Sequence, residues 1–176
     1  SFSDAGGVVE GLHVQASDWV IENLDITGRC GDDSNCEHAL HIVGLADRTV
    51  VRHCRLHGFN AQIKGNGLDQ GGGKGWTWPD DVVIAYSEFF NEAPRQTGNP
   101  VTPVDVGGGR RWVLRGNYIH DHAKGGGDGI SYAAFFKGNS RNGLMEQNLV
   151  VCEQLHRGRI RLGLSFGGGG SGQTAV

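Results

Sequence analysis

Residues 112–120 read WVLRGNYIH, and four similar stretches occur elsewhere in the chain. They are VIENLDI from Val20, VVRHCRLH from Val50, VVIAYSEFF from Val82 and LMEQNLVV from Leu144. Each stretch is short and rich in β-branched and aromatic residues, with apolar side chains at a spacing of two. A helix would instead need a longer segment with a period of 3.6 residues, so these stretches predict strands.

Two apolar columns run through the aligned stretches. The first column is Ile21, Val51, Ile84, Leu114 and Met145. Its steps are 30, 33, 30 and 31 residues. The second column is Ile26, Leu56, Phe89, Ile119 and Val150. A nearly constant period in this range indicates stacked units that share one core.

A shorter strand-like segment precedes each unit. These segments read GLHVQ, ALHIVG, AQIKG, TPVDVG, YAAFFKG and, near the end, RIRLGLSFG. The third unit also carries a Gly-rich insertion, GNGLDQGGGKGWTWP. Two or three short strands per unit predict an all-β fold, a right-handed parallel β-helix of five to six rungs. We expect residues 1–176 to be a single β-helix domain, incomplete at one or both ends and cut from a longer solenoid.

Polar residues at repeated positions allow two interpretations. Cys54, Ser87, Asn117 and Asn148 share one column. They can form a hydrogen-bonded ladder inside the stack, or the asparagines can simply stabilise turns. Cys30 and Cys36 flank the polar loop CGDDSNC, where either a disulfide or two free thiols would fit. The other cysteines, Cys54 and Cys152, lie in apolar segments and are expected to be buried thiols.

The composition excludes some kinds of partner. The formal net charge is -3, so there is no electrostatic reason to expect nucleic acid or an anionic membrane. No apolar run approaches the roughly 20 residues needed to span a bilayer, so membrane insertion is not expected. Glycine accounts for 31 of 176 residues without a period of three, which indicates many turns rather than collagen.

Alternation along the short strands predicts one outward-facing row. Lys64, Asp105 and Lys137 occupy consecutive rungs of this row, with His41 one rung before and Arg161 one rung after. Gln62 and Arg159 face outward by the same alternation. If the short strands are aligned on the glycines that end them, such as Gly44, Gly107 and Gly138, Asp105 falls on the inward face. Burial there is costly for a lone carboxylate. We therefore expect a local register change that exposes Asp105.

Loops beside these strands carry further polar candidates. PRQTGNP, HDHAKGGGD and KGNSRNG contribute Arg95, His120, His122, Lys124, Asn139 and Arg141, and Tyr132 is close by in the sequence. HDHAK can bind a metal, although solvated or turn-forming loops of this kind are commoner. Trp76 and Trp78 in the insertion can stack on a sugar or cap the apolar core.

The units resemble the bacterial right-handed parallel β-helix repeat proteins, which include many polysaccharide lyases, over residues 11–168. FKGNSRNGLMEQNLVV followed by GRIRLGLSFGGG is similar to paired segments of family 6 polysaccharide lyases. Lys137 matches the lysine of that family. The family's arginine aligns with Gly163, and Arg161 lies two residues earlier on the same predicted face. The family's histidine and its Ca²⁺ carboxylates have no identifiable counterparts.

This resemblance implies β-elimination, or epimerisation, on an acidic polysaccharide such as alginate or a glycosaminoglycan, with Ca²⁺ as the implied cofactor. Lys137 would be the base, with its pKa lowered by Arg161, Arg159 and Lys124. Arg161, His120, His122 and Tyr132 are the other catalytic candidates. Substrate-binding candidates are His41, Gln62, Lys64, Arg95, Asp105, Lys124, Asn139, Arg141 and Arg159.

A secreted, periplasmic or cell-surface location is implied by the resemblance and by the cysteine pair. The alternative function is a non-catalytic adhesin or surface polysaccharide-binding module. An enzyme should show convergent titratable groups. A binding module should show aromatic stacking without them. The metal ligands, the exact substrate and the oligomeric state do not follow from the sequence.

Overall fold

The computed structural model describes residues 1–4 and 7–167. Its strands, in chain order, are β1 Val9–Val14, β2 Val20–Glu22, β3 Asp25–Thr27, β4 Cys36–Val43, β5 Val50–Arg52, β6 Arg55–His57, β7 Ala61–Asn66, β8 Leu68–Asp69, β9 Trp76–Thr77, β10 Val83–Ala85, β11 Glu88–Phe90, β12 Val104–Arg110, β13 Val113–Arg115, β14 Tyr118–His120, β15 Ile130–Arg141, β16 Leu144–Glu146, β17 Leu149–Val151 and β18 Ile160–Phe166.

Three parallel sheets form a β-solenoid of about five turns, which confirms the predicted all-β fold. The six-stranded sheet has the order β1-β4-β7-β12-β15-β18. The two five-stranded sheets have the orders β16-β13-β10-β5-β2 and β17-β14-β11-β6-β3. In the insertion, β8 and β9 form a small antiparallel pair. The part of the chain that the structure describes contains no helix, and hence none able to cross a membrane.

Both predicted apolar columns are confirmed. Ile21, Val51, Ile84, Leu114 and Met145 pair in register across one sheet. Ile26, Leu56, Phe89, Ile119 and Val150 pair across the next. The middle members of both columns are fully buried. The core therefore lies between the sheets, and every rung adds one layer to it.

The corner between the two five-stranded sheets uses a left-handed backbone at the same place in each rung. Asn23, His53, Tyr86, Gly116 and Gln147 all have φ between 50° and 65°. Such a conformation turns the chain sharply without a regular hydrogen-bonded turn, and Gly and Asn adopt it with least strain. In the three middle rungs the next residue, Cys54, Ser87 or Asn117, is buried.

The polar ladder is an interior feature, as the first of the two interpretations predicted. The backbone N–H of Cys54 donates to Ser87 Oγ, that of Ser87 to Asn117 Oδ1, and that of Asn117 to Asn148 Oδ1, each at 3.0 Å. Asn117 Nδ2 also donates to the carbonyl of Ile84 at 3.0 Å. The ladder satisfies corner backbone groups that no strand pairing reaches.

The four cysteines differ in state, and the structure has the first of the two alternatives for Cys30 and Cys36. Cys30 and Cys36 form a disulfide. Cys54 is a buried free thiol, but the expectation for Cys152 is wrong because that thiol is partly exposed. Cys152 follows β17, near the end of the stack, where fewer rungs remain to cover it.

Candidate functional site

One face of the six-stranded sheet carries a row of aligned side chains that point away from the core. Strand pairing aligns His13 with His41, His41 with Lys64, Lys64 with Asp105 and Asp105 with Phe135. The predicted neighbours His41, Lys64 and Asp105 are therefore confirmed as consecutive members. Lys137 was predicted for the next place, but Phe135 occupies it. The pairing shifts by one residue between Val106 and Gly108, so that β15 bulges at Lys137 and Gly138.

Lys137 nevertheless reaches this row through its side chain. Lys64 Nζ lies 2.9 Å from Asp105 Oδ2, and Lys137 Nζ lies 3.7 Å from Asp105 Oδ1. Lys137 Nζ also lies 4.0 Å from the centroid of the Phe135 ring. We call Lys64, Asp105 and Lys137 the lysine–aspartate triad. It brings two ammonium groups together on one carboxylate.

Asp105 is buried, although the sequence predicts that it is exposed. The register change places it on the outward row, as predicted, but only 4% of the residue is exposed. Loop residues Asn99 and Pro100 line the same small cavity as Lys64 and Asp105. The carboxylate is tolerated there because two cations neutralise it, which lowers the cost of burying a charge.

The electrostatics of the triad favour a reactive lysine. Burial lowers the pKa of the Lys137 ammonium below its ordinary value, and the nearby positive charge of Lys64 lowers it further. The Asp105 carboxylate acts in the opposite direction and partly offsets these effects. A lysine with a lowered pKa has more of its neutral form available to accept a proton.

A second cluster lies one rung beyond Lys64 and includes residues that the sequence reasoning missed. Glu10 Oε1 is 2.8 Å from Nδ1 of both His38 and His41, and Glu10 Oε2 is 3.4 Å from His13 Nδ1. His41 Nε2 is 2.6 Å from Asn66 Oδ1. Glu10 and His13 are three residues apart on β1, and His38 and His41 are three residues apart on the paired strand β4. This repeated spacing is the sequence pattern that could have predicted the cluster.

The insertion forms a polar-aromatic groove of about 420 Å³. Trp76 and Trp78 line it, with ring centroids 6.2 Å apart, together with Asn139 and Arg141 from β15 and Arg110 from β12. Trp76 is half-exposed, whereas Trp78 packs against the backbone at Gly67 and Gly108. Asn139 follows Lys137 by two residues on β15, and the bulge at Lys137 and Gly138 lies between the groove and the triad.

The prediction that Gln62 faces solvent is wrong. The residue is fully buried, and its amide nitrogen donates to the carbonyls of Phe59 and Phe90 and to Asn91 Oδ1. These contacts tie the turn before β7 to the next rung. Gln62 is therefore placed to support the fold rather than to contact a substrate.

Arg161 is also displaced from its predicted place beside Lys137. It pairs in register with Ser131, six residues before Lys137, which is roughly 20 Å along an extended strand. Its guanidinium forms an ion pair with Glu153. The row ends instead at Ser165, the partner of Phe135. Neither Arg161 nor Arg159, whose Nη1 approaches the carbonyl of Gly127, lies beside the triad.

The histidines of HDHAK are buried beneath this distant end. His120 lies between Asp121 Oδ2, at 2.7 Å, and Glu88 Oε1, at 3.1 Å. Asp121 Oδ1 accepts three backbone N–H groups, from Gln154, Leu155 and His156. His122 is fully buried, and burial lowers its pKa to about 4. These contacts fit a structural loop, the commoner of the two interpretations of HDHAK.

The remaining candidates support loops around the sheet. Arg95 forms an ion pair with Asp33 and donates to Asn60 Oδ1, and Lys124 pairs with Asp128. Both cations are buried, and the positive charge that lowers the pKa of Lys137 is that of Lys64 rather than Lys124. Tyr132 contacts the Phe135 ring edge-on, with centroids 5.3 Å apart, so it lies near the triad.

The residues described here include two groups that could hold a metal ion, Glu10 with His13 and His41, and Glu10 with Glu37 and His38. Each group contains a histidine nitrogen, whereas Ca²⁺ takes six to eight oxygen ligands. These donors do not fit Ca²⁺, and its role as a cofactor stays a prediction.

No family model, curated protein or solved structure matches the chain. The resemblance to polysaccharide lyases therefore stays a prediction.

Proposed function

We propose that the protein acts on an acidic polysaccharide, by β-elimination or epimerisation at a uronic acid, on the outward face of the six-stranded sheet. The observation that carries this proposal is the lysine–aspartate triad, in which a largely buried lysine of lowered pKa and a second lysine share one carboxylate. A secreted, periplasmic or cell-surface location, where disulfides persist, belongs to the same proposal.

Both reactions begin with removal of the proton on the carbon beside the uronate carboxylate. Lys137 Nζ, in its neutral form, takes this proton. In β-elimination the C–H electrons form the double bond and the bond to the leaving oxygen breaks, and that oxygen takes a proton from the Lys64 ammonium. In epimerisation Lys64 instead returns a proton to the opposite face of the carbon. Asp105 holds the two lysine side chains together through its two carboxylate oxygens.

The polar-aromatic groove supplies the binding surface in this account. Flat apolar rings stack on sugar faces, and guanidinium groups pair with carboxylates. Trp76 is half-exposed, and Arg110 and Arg141 lie beside it. A polymer lying along β15 would reach both the groove and the triad.

A non-catalytic binding module is the second candidate, and the same groove favours it. Such a module needs the tryptophans and arginines but does not need Lys137. The two candidates therefore differ in the expected effect of changing the triad.

Incubation with alginate, pectate and glycosaminoglycans, followed by absorbance of the unsaturated product, tests elimination. NMR analysis of the uronate configuration tests epimerisation. We expect Lys137→Ala to lower turnover by about 10²–10⁴-fold, the usual contribution of a general base. Lys74→Ala, an exposed lysine of the insertion, is the matched control and should keep parental activity. Full activity in Lys137→Ala would reject the base assignment, and binding without turnover by the parent would favour the second candidate.

A further inference from the structure

We propose that Glu10, His13 and His41 form a binding site for a divalent transition metal of the Zn²⁺ class. The site lies on the β1 and β4 rungs, outside the triad, and its metal binding does not depend on the proposed function. Its ligands would be one carboxylate oxygen and one nitrogen from each histidine.

The three donors already converge. His13 and His41 occupy the same register position on the neighbouring strands β1 and β4, and their rings stack with centroids 4.9 Å apart. The carboxylate of Glu10 lies against Nδ1 of both rings, at 3.4 Å and 2.8 Å. Donor atoms of the three residues all lie within 4.8 Å of one another. Zn–N and Zn–O distances of about 2.0–2.2 Å place the donors of a tetrahedral site about 3.4 Å apart, so the Glu10–His13 separation already fits. The stacked rings of His13 and His41 would rotate so that both nitrogens point at the ion.

Asn66 orients one of the ligands. Asn66 Nδ2 donates to the carbonyl of Gly67, so its oxygen is the atom that faces His41 Nε2 at 2.6 Å. An amide oxygen only accepts hydrogen bonds, so His41 Nε2–H donates to it, and Nδ1 is left as the His41 nitrogen that faces Glu10 and would bind the metal. A partner that fixes the second nitrogen in this way is typical of metal-binding histidines.

The donor set selects the class of metal. Imidazole nitrogen with carboxylate oxygen suits Zn²⁺ and similar ions, whereas Ca²⁺ and Mg²⁺ prefer oxygen ligands alone. Three protein ligands leave coordination positions open, and His13 is exposed over 43% of its side chain, so that water or a solute can reach them. Bound metal would also join β1, the first strand of the six-stranded sheet, to β4.

Calorimetric titration of Zn²⁺ into metal-free protein without a histidine tag tests the site. We expect one equivalent to bind, a higher melting temperature with Zn²⁺, and no competition from Ca²⁺. Replacing Zn²⁺ by Co²⁺ should give visible absorption bands of a site with nitrogen and oxygen ligands.

The variants separate this site from nonspecific histidine binding. His13→Ala and Glu10→Gln should each weaken Zn²⁺ binding by tenfold or more, and Asn66→Ala by about 10–100-fold. His53→Ala removes an exposed histidine outside the cluster and should bind like the parent. Because His13 is exposed, its variant should fold normally, which circular dichroism can verify. No binding by the parent, or equal binding by His13→Ala and His53→Ala, would overturn the proposal. None of these measurements requires a polysaccharide.

Discussion

At the scale of single residues, Asp105 shows how a buried charge is kept within the sheet. Its carboxylate is almost inaccessible, yet it lies 2.9 Å from Lys64 and 3.7 Å from Lys137. Removing one partner of a buried ion pair leaves the other charges uncompensated, which is usually more costly than losing the attraction itself.

Asp105→Asn should therefore lower the free energy of unfolding by about 3 kcal/mol, measured by urea denaturation. The variant should also shift the acidic limb of the pH–rate profile to lower pH, because Asp105 is the group that raises the pKa of Lys137. Lys74→Ala is the control for both measurements. An unchanged profile with full stability would show that the carboxylate does not act on Lys137.

His122 makes stability depend on pH. Burial lowers its pKa to about 4 in the folded protein, whereas an unfolded histidine titrates near about 6.5. The unfolded chain therefore binds a proton first as the pH falls. The contribution of His122 to stability is complete above pH 6.5 and is lost between about 6.5 and 4, by roughly 3 kcal/mol in all.

Chemical denaturation at several pH values checks this expectation by comparing the stability of the parent with that of two variants. His122→Gln, which keeps a donor for the carbonyl of Leu162, should lose less stability than the parent across that window. His53→Gln should behave like the parent. Identical pH dependence in the parent and His122→Gln would contradict the assignment.

At the scale of strands, the sequence predicts the inward apolar columns. It predicts the outward row of the six-stranded sheet only in part. Ile84 and Leu114 recur at a regular period because every rung must fill the same core. The outward position of Lys137 depends on a bulge that alternation does not reveal. Arg161 was placed wrongly because β15 has 12 residues, and the sequence does not say where along it β18 pairs.

The polar ladder should contribute to the stability of the stack, with Asn117 at its centre. Asn117→Ala removes the acceptor for the Ser87 N–H and the donor for the Ile84 carbonyl, both buried. We expect a loss of about 3 kcal/mol in the free energy of unfolding. Gln154→Ala, at an exposed position outside the ladder, is the control and should change the free energy of unfolding by less than about 0.5 kcal/mol. Equal stability of Asn117→Ala and Gln154→Ala in urea denaturation would argue against an interior ladder.

At the scale of the whole molecule, β18 leaves apolar side chains of the core row exposed. Ile160, Leu162, Leu164 and Phe166 are each at least 40% exposed. They pair with β15 and continue the inward positions of that strand. A strand edge of this kind promotes association between copies.

We therefore expect concentration-dependent association in sedimentation experiments. The double substitution Leu162→Glu and Leu164→Glu should reduce it, whereas Leu155→Glu, at an exposed leucine outside the strands, should not. A parent protein that stays monomeric at all concentrations would contradict this prediction.

In the proposed function, Lys137 removes the proton beside a uronate carboxylate. Proton NMR of the polymer in D₂O follows that hydrogen directly, because both elimination and epimerisation remove it. We predict that its signal decays with the parent protein and with Lys74→Ala, and persists with Lys137→Ala. Decay at the parental rate with Lys137→Ala, or no decay on alginate, pectate or any glycosaminoglycan, would contradict the account.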